Sequence, residues 1–580
     1  MSNRSVNKQK LKELASIFPE AFVDETLDFD RLDKLLGREE SFGLEWSGKR
    51  EAHRRVAQDE GEPFTISLKR EADSPNPQHF FVVGDNLKVM RCLRRAYAGQ
   101  IKCIYVDPPY NTGKEFVYRD VRSKESGLST TSKATRHSAW LSMIYPRLCL
   151  AQELLREDGV IFISIDEHEY ANLRVVCDEL FGEANCVGNF IWRRSGGGGL
   201  RGVFPVTVHE YILCYAKNAR AHTERWFAPY SPQSLSQFRH LDEKGRYKRQ
   251  ALYLSTLSSG KNQKYYIDLP DGSKARPPEG RGAWRFIEET FLREKEKGCI
   301  CFVPSKNSPL ICSDGRQAAY NIYTKQYIDA RGSNPTSILP DAIVGQTRAA
   351  RAEIKSLLGR DVFDYAKPVS LLKYLFSLFP KESGDIFLDM FAGSAAASTA
   401  VLCLNESGEE YRFLAIQIPE PCNPRSTAYR TGFQTIDQIG VERINRYIEN
   451  SGYDHAYAVC HLRKGVLHFT ETDGFRVRSH SEKNATTDID ALRTEIQLHF
   501  GFALDSAVSR VPIETKNCVE RIESSSQKRA LFLSFDDEID VDTLRTLPMR
   551  ETDLFVCWKE AFPEHERDSI RAGRLIYIQR

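Results

Sequence analysis

The stretch Ile101–Gly113, IKCIYVDPPYNTG, decides the fold. Its first six residues are mostly apolar or β-branched and read as a buried strand. The strand stops at Asp107, because Pro108 and Pro109 cannot donate to a sheet. An acid, two prolines and an aromatic, Tyr110, are therefore held at a strand end, where open α/β sheets bind ligands. That set suits one chemistry. An exocyclic amine on a nucleobase is a poor nucleophile, because its lone pair is delocalised into the ring. A carboxylate and a backbone carbonyl that accept its two N–H bonds return the lone pair to nitrogen. Tyr110 would stack on the extruded base, and the prolines would spare the acceptors any reorganisation. For Asp-Pro-Pro alone, a Pro-terminated strand with an acid on its turn is the plain alternative.

Upstream, Phe80–Val83 reads as a short strand ended by Gly84-Asp85-Asn86, and Leu87, Met90 and Leu93 mark a helix. Asp85 at that turn suits either a ligand amine or the cap of the helix. Downstream, Trp140–Arg156 reads as a helix kinked at Pro146, Val160–Ile165 as a buried strand, and Tyr170–Leu180 as a helix. Phe190–Trp192 and Tyr211–Tyr215 supply further strands. This alternation implies an α/β fold with a doubly wound, largely parallel sheet. Asp166, Glu167, His168 and Glu169 sit where a helix starts and need no metal there. Arg193-Arg194-Ser195 and the four glycines 196–199 are not followed by a helix, so they form no dinucleotide loop. They suit a loop closing over a polyanion, or a plain surface loop.

Ile386–Ser394, IFLDMFAGS, repeats the pattern of apolar strand, terminal acid and small-residue turn, here leading into a helix over Ala395–Leu404. Small residues admit a ligand close to the backbone, and the helix N-terminus favours a carboxylate. Arg412–Ile418 is the next strand and ends near Gln417, where nucleotide-type sites carry a ribose-binding side chain. A helix is expected after Lys367-Pro368, and another over Thr435–Tyr447.

The net charge of +2 announces no nucleic-acid partner, so any basic surface must be local. Residues 221–340 supply one: Arg239, Lys244, Arg246, Lys248, Arg249, Arg281 and Arg285 interleave with Tyr247, Tyr265, Tyr266 and Trp284. Such a mixture suits phosphate and stacking contacts. The 14 cysteines form no CxxC pair and read as reduced thiols in a cytoplasmic protein. No run is long enough to span a membrane. The expected organisation is an N-terminal helical arm over 1–79, with helices at 8–18 and 31–36. A catalytic half over 80–220, an insertion over 221–340, a second half over 341–450 and a C-terminal domain over 451–580 follow.

Two strand-end sites, one for a base amine and one for an adenosine-bearing cofactor, define a base methyltransferase. The chain resembles the modification (Mod) subunits of type III restriction–modification systems, β-group adenine-N6 DNA methyltransferases. The resemblance rests on GDNLKVM (84–90), IKCIYVDPPYNTG (101–113), FVY (116–118), VIFISIDEHE (160–169), HEYILCYAKN (209–218), FDYAKP (363–368), LDMFAGS (388–394), FLAIQIPE (413–420) and GFQTIDQIGVERI (432–444). It covers roughly residues 10–450, with the catalytic motif before the cofactor motif. It implies an S-adenosylmethionine (SAM)-dependent fold with an inserted target-recognition domain. Its implied partners are double-stranded DNA, a restriction (Res, helicase–nuclease) subunit and a second copy of the chain. Carried over by position, Asp107, Pro108, Pro109 and Tyr110 hold the flipped adenine. Asp85, Asp389, Phe391, Ala392, Gly393, Ser394 and Gln417 line the cofactor, and Lys367 and Pro368 lie beside its methionine end. No metal is implied. The family usually continues FAGSGTT, whereas Ala395 and Ala396 follow here. Ala lacks the freedom of Gly at positive φ, so a working turn is expected to use an ordinary backbone conformation. The departure leaves a silent DNA-binding specificity subunit as one alternative. A cytosine-N4 enzyme is the other, although such enzymes more often carry Ser in place of Asp107. If 221–340 reads the DNA, exchanging it with the same segment of a related enzyme should transfer the methylated sequence, as single-molecule sequencing would record.

Overall fold

Two acidic strand ends meet in the middle of a nine-stranded sheet. The computed structural model describes residues 22–23, 26–27, 43–57, 64–68, 77–112, 133–197, 204–257, 261–452, 457–465, 467–470, 474–477, 488–524, 527–561 and 574–579. The helices expected at 8–18 and 31–36, and the FVY motif, lie outside them. The sheet's strands are β1 (Phe64–Ser67), β2 (His79–Val83), β3 (Ile101–Val106), β4 (Leu155–Ile165), β5 (Cys186–Arg193), β6 (His209–Ala216), β7 (Ile386–Asp389), β8 (Arg412–Gln417) and β9 (Tyr457–Lys464). Their order across the sheet is β1-β9-β2-β8-β7-β3-β4-β6-β5. The six strands from β9 to β4 are mutually parallel, whereas β1, at one edge, and β6 run antiparallel to their neighbours, and β5 runs antiparallel to β6. The sheet is thus mixed at its edges. β1 and β9 belong to it, so the boundaries expected at 79/80 and 450/451 cut through one sheet.

The central strands are apolar because both faces are covered. β3 is buried along its whole length. Helix α1 (Lys49–Ala57) precedes β1, α2 (Asn86–Tyr97) follows β2, and α3 (Lys133–Leu154), with Pro146 inside it, connects β3 to β4. α4 is Tyr170–Phe181, α5 Thr347–Leu358, α6 Ala396–Asn405 and α7 Ile436–Ser451. From β7 the chain crosses through α6 to β8 on one side, and from β3 through α3 to β4 on the other. The β7/β3 pair is therefore the topological switch point, and the carboxyl ends there carry Asp389 and Asp107.

Within the same unit, residues 467–579 form a seven-stranded sheet, and its strands at Gly474–Val477, Arg574–Gln579, Leu554–Trp558 and Leu531–Leu533 pair in parallel. Its core includes Leu492, Phe502, Phe532 and Phe555. The Leu504 amide donates to Tyr97 Oη at 2.9 Å, and Arg412 pairs with Asp505, so this sheet is tied to α2 and β8.

A second unit comprises Glu224–Gly345 with Ser370–Pro380. Its largest sheet is antiparallel, in the order Ile300–Pro304, Tyr320–Tyr327, Gly245–Ala251, His240–Asp242. Its core holds Leu252, Ile267, Trp284, Phe291 and Ile322. The interleaved aromatics divide accordingly: Tyr247 and Trp284 are buried, and Tyr266 is exposed. Arg239, Lys244, Arg246, Arg249 and Arg281 are exposed, so the basic residues form the unit's surface while most of the rings build its core.

Candidate active site

Asp107 follows the last residue of β3, and the two prolines end the strand as their missing N–H groups require. The Trp140 indole on α3 donates to the Pro109 carbonyl at 2.6 Å, fixing the turn from below. The Pro108 carbonyl receives none of the hydrogen bonds among the described residues. Asn111 takes φ of +56°, a conformation Asn tolerates better than most residues. Its amide donates to Glu169, which is fully buried and also accepts from Asn172 at 2.7 Å and pairs with His137 at 2.6 Å. Thus the acid at the start of α4 anchors the Asp107–Asn111 turn. Asp166 accepts from the His168 amide at 3.0 Å, closing the turn that precedes that helix.

Four side chains converge on the turn. The Lys367 ammonium lies 2.7 and 2.8 Å from the two Asp107 oxygens and 2.8 Å from Tyr110 Oη. Tyr110 donates towards Asp107 at 2.8 Å and Glu210 at 3.2 Å. Lys367 is 3.4 Å from Glu210 Oε2, and its ammonium stands 5.0 Å from the Tyr110 ring centre and 5.9 Å from that of Trp192. Burial works against the ammonium, but Asp107 and Glu210 outweigh it and hold its pKa above the ordinary value. Burial, with Asp107 and Glu210 adding to it, pushes the Tyr110 phenol well up. Lys367, expected beside the cofactor's methionine end, engages Asp107. Glu210 went unassigned in the sequence. Its one signal was an acid near the start of an otherwise apolar strand, HEYILCYA.

The second strand end is drier. Asp389 is 5 % exposed, its Oδ1 accepts from the Phe391 amide at 3.1 Å, and burial raises its pKa to about 7. The Asn86 amide donates to the Met390 carbonyl at 2.8 Å, stitching the β2 turn to the end of β7. Asp85 caps α2 by accepting from Lys88 N at 3.2 Å and pairs with the buried Arg147 at 3.1 Å. Both its oxygens are engaged, so the capping alternative holds. Gln417 Oε1 accepts from the Gly393 amide at 2.6 Å and its amide donates to the Ile418 carbonyl at 3.0 Å, so it braces the turn. Ser394 accepts from buried Arg443 at 3.0 Å, and Arg443 reaches Glu353 at 3.5 Å. Glu353 in turn accepts from the Val369 amide at 3.1 Å, next to Pro368. A Cβ on Gly440 of α7 would lie 3.1 Å from the Gly393 carbonyl, so α7 also packs on this turn.

The expectation of an ordinary backbone at Ala395 is corrected. Ala395 caps α6 with φ of +59° and ψ of 36° and is completely buried, and Gly393 has φ of +52°. The Ala395 amide donates to the Ala392 carbonyl at 2.7 Å, closing a tight turn that outweighs the left-handed cost of about 1–2 kcal/mol. The small side chain makes the strain tolerable.

A methyl-donor cofactor with a cationic end fits this turn. Asp389 Oδ2 makes none of the described hydrogen bonds, Ser398 in the first turn of α6 has a buried hydroxyl without a partner, and that turn presents backbone N–H donors.

The family described as "DNA methylase" (N6_N4_Mtase) matches residues 101–452. The Mod subunit of the type III restriction–modification enzyme EcoP15I from Escherichia coli is 30% identical over 509 residues, 76% of this chain and 76% of that one. The EcoPI Mod subunit of Escherichia phage P1 is 31% identical over 547 residues, 83% and 80% of the two chains. The chain belongs to the Mod subunits of type III restriction–modification enzymes. As a member of that family it is a SAM-dependent DNA methyltransferase. The StyLTI Mod subunit of Salmonella typhimurium is similar over a shorter part, 33% identical over 394 residues, 65% of this chain and 58% of that one.

In this Mod chain Ala395→Gly should change stability by no more than about 1 kcal/mol, relief of φ being offset by the lost methyl and added chain entropy. Ala395→Val should cost more than about 3 kcal/mol through positive φ and overpacking. Thermal unfolding of the two variants would measure the contrast.

Proposed function

We propose that the chain moves the methyl group of SAM to N6 of an adenine rotated out of duplex DNA. The observation that carries this reading is the pair of unlike acceptors, the Asp107 carboxylate and the Pro108 carbonyl, on adjacent residues at the switch point. They suit the two hydrogens of one amino group. Rotation of the base costs a few kcal/mol, and stacking on Tyr110 returns about 1–3 kcal/mol. With both hydrogens accepted, the N6 lone pair turns out of the ring plane towards the second strand end. When bound there, SAM supplies an electrophilic methyl on a sulfonium. Asp107 also stands at the proton that N6 sheds once its new bond to carbon has formed. Asp rather than Ser at 107 favours adenine over cytosine.

Asp389, Phe391, Ala392 and Gly393 line the cofactor in this reading, while Asp85, Ser394 and Gln417 hold the loops around it. The left-handed Ala395 keeps the turn in a conformation glycine would adopt, which favours an active enzyme over a silent subunit. The exposed cations of the unit 224–345 suit the DNA backbone and would position this unit, whose base contacts carry target recognition. The names of the relatives, subunits of restriction–modification enzymes, support a Res subunit as partner, and a second copy is part of the same reading only through the family resemblance. Among the described residues no helix is long and apolar enough to cross a membrane.

Asp107→Ala should lower methyl transfer at least about 100-fold while leaving DNA binding near normal. Single-molecule sequencing of DNA exposed to the chain should find N6-methyladenine at one sequence, and N4-methylcytosine there instead would overturn the adenine assignment.

Asp389 adds a pH dependence. Its raised pKa means that the free fold favours the neutral acid, so between about pH 4 and 7 the ionised group opposes folding as pH rises. A cationic cofactor needs the carboxylate, so below pH 7 it must expel the proton. SAM affinity should therefore climb by up to about tenfold per pH unit below 7 and level off above it. Asp389→Asn should bind SAM more weakly and remove that part of the slope, which calorimetry at several pH values would measure.

A further inference from the structure

In the structure the Lys367 ammonium bonds both oxygens of the carboxylate that the target amine needs. An ammonium has three donors, and here they go to Asp107 Oδ1, Asp107 Oδ2 and Tyr110 Oη, at 2.7, 2.8 and 2.8 Å. Tyr110 fills a second lone pair of Oδ1. The same ammonium faces the rings of Tyr110 and Trp192, where a flipped base would stack. Three of the four lone-pair sites of Asp107 are thus taken, and an amine docking there competes with Lys367 for the carboxylate.

Lys367 is buried, so a move into water is closed to it, and a buried cation left without a partner is costly. Among the described residues one alternative acceptor lies within reach: Glu210 Oε2, 3.4 Å away, a longer contact than those to Asp107. Glu210 is itself 8 % exposed. Its other oxygen, Oε1, stands 4.0 Å from Arg194 Nε, which leaves Oε2 to face the lysine. Tyr110 Oη already lies between the two acids, at 2.8 and 3.2 Å, so it can stay bonded through a shift of the ammonium. The cluster therefore has two carboxylates for one lysine, and a short slide exchanges one ion pair for the other.

We propose that Glu210 is a positioning residue that receives the Lys367 ammonium when the target amine docks on Asp107. The charge pair Asp107–Lys367 guards the base site in the free enzyme, and Glu210–Lys367 replaces it in the loaded one. No bond forms or breaks in this exchange. The proposal rests on the adenine-N6 reading above.

The test is a double-mutant cycle on the full chain with duplex DNA carrying its target sequence. Single-turnover methyl transfer is measured with labelled SAM, and base extrusion with 2-aminopurine at the target position. Glu210→Gln should slow transfer about 10- to 100-fold and reduce the 2-aminopurine signal, with SAM affinity within about twofold of the parent. In a Lys367→Met background, slow in itself, the same Glu210→Gln change should alter the rate less than about twofold, since no ammonium remains to be received. Equal fold losses in the two backgrounds, or Glu210→Gln at the parental rate, would overturn the exchange. Should Glu210→Gln not fold, Glu210→Asp run through the same cycle should show coupling of the same sign, and additive losses there would equally overturn it. Absence of N6-methyladenine with the parent enzyme would instead overturn the functional reading on which the proposal rests.

Discussion

The parallel pairing of β7 with β3 is the constraint on which the site depends. It sets Asp389 against Tyr105 in register and so brings two strand-end acids, from opposite ends of the methylase region, to the same edge of the sheet. The Met390 amide donates to the Tyr105 carbonyl at 3.2 Å, which continues the pairing to the last residue before the cofactor turn. The Asn86–Met390 bond, spanning 304 residues of sequence, locks the neighbouring turn to the same point. Arg147 then ties Asp85 to α3, with its charge buried and paired. A slip of this register by one residue would turn each side chain of β7 to the opposite face and separate the acids.

That much of the arrangement was legible wherever chemistry is local. Prolines after an apolar run end a strand whatever surrounds it, and an acid at such a point needs no distant partner to be noticed. Strand Ile386–Asp389 and the helix beginning at Ala396 were readable for the same reason. The parallel order could be inferred from alternating strands and helices. The edges could not: β1 has only four residues, and β9, YAVCHLRK, is partly polar and largely unburied although it follows α7, so neither reads as a core strand before its pairing is seen. The close approach at Gly84, where a Cβ would lie 2.5 Å from that of Leu462, belongs to this same hidden edge.

Within the site, the residues that escaped notice act through tertiary contact. Glu210 and Glu169 look like ordinary acids at the start of a strand and of a helix, and only folding reveals that both are buried against the catalytic turn. Lys367 carried a motif-level signal, yet its partner stands 260 residues away. Ala395 was misjudged because propensity speaks for an isolated residue. Bonds from the Ala395 amide to the Ala392 carbonyl and from Thr399 to the Ala395 carbonyl hold it in a conformation it would not adopt alone. Tyr247 and Trp284 teach the converse lesson, since rings that suggested a contact surface are buried within their own unit.

The order of the strands along the chain has a consequence for synthesis. β3 sits between β7 and β4, and β7 leaves the ribosome only after the whole of the second unit has been made. At about 5–20 residues per second, the β7-facing edge of β3 stays without its partner for tens of seconds. An apolar strand with an open edge is a template for the wrong neighbour. The nascent chain therefore carries an open apolar edge through the whole synthesis of the second unit, and the Asp107 turn acquires its final geometry only when β7 closes that edge. Maturation of the two sites is in this way a single event, completed late and from the carboxyl side.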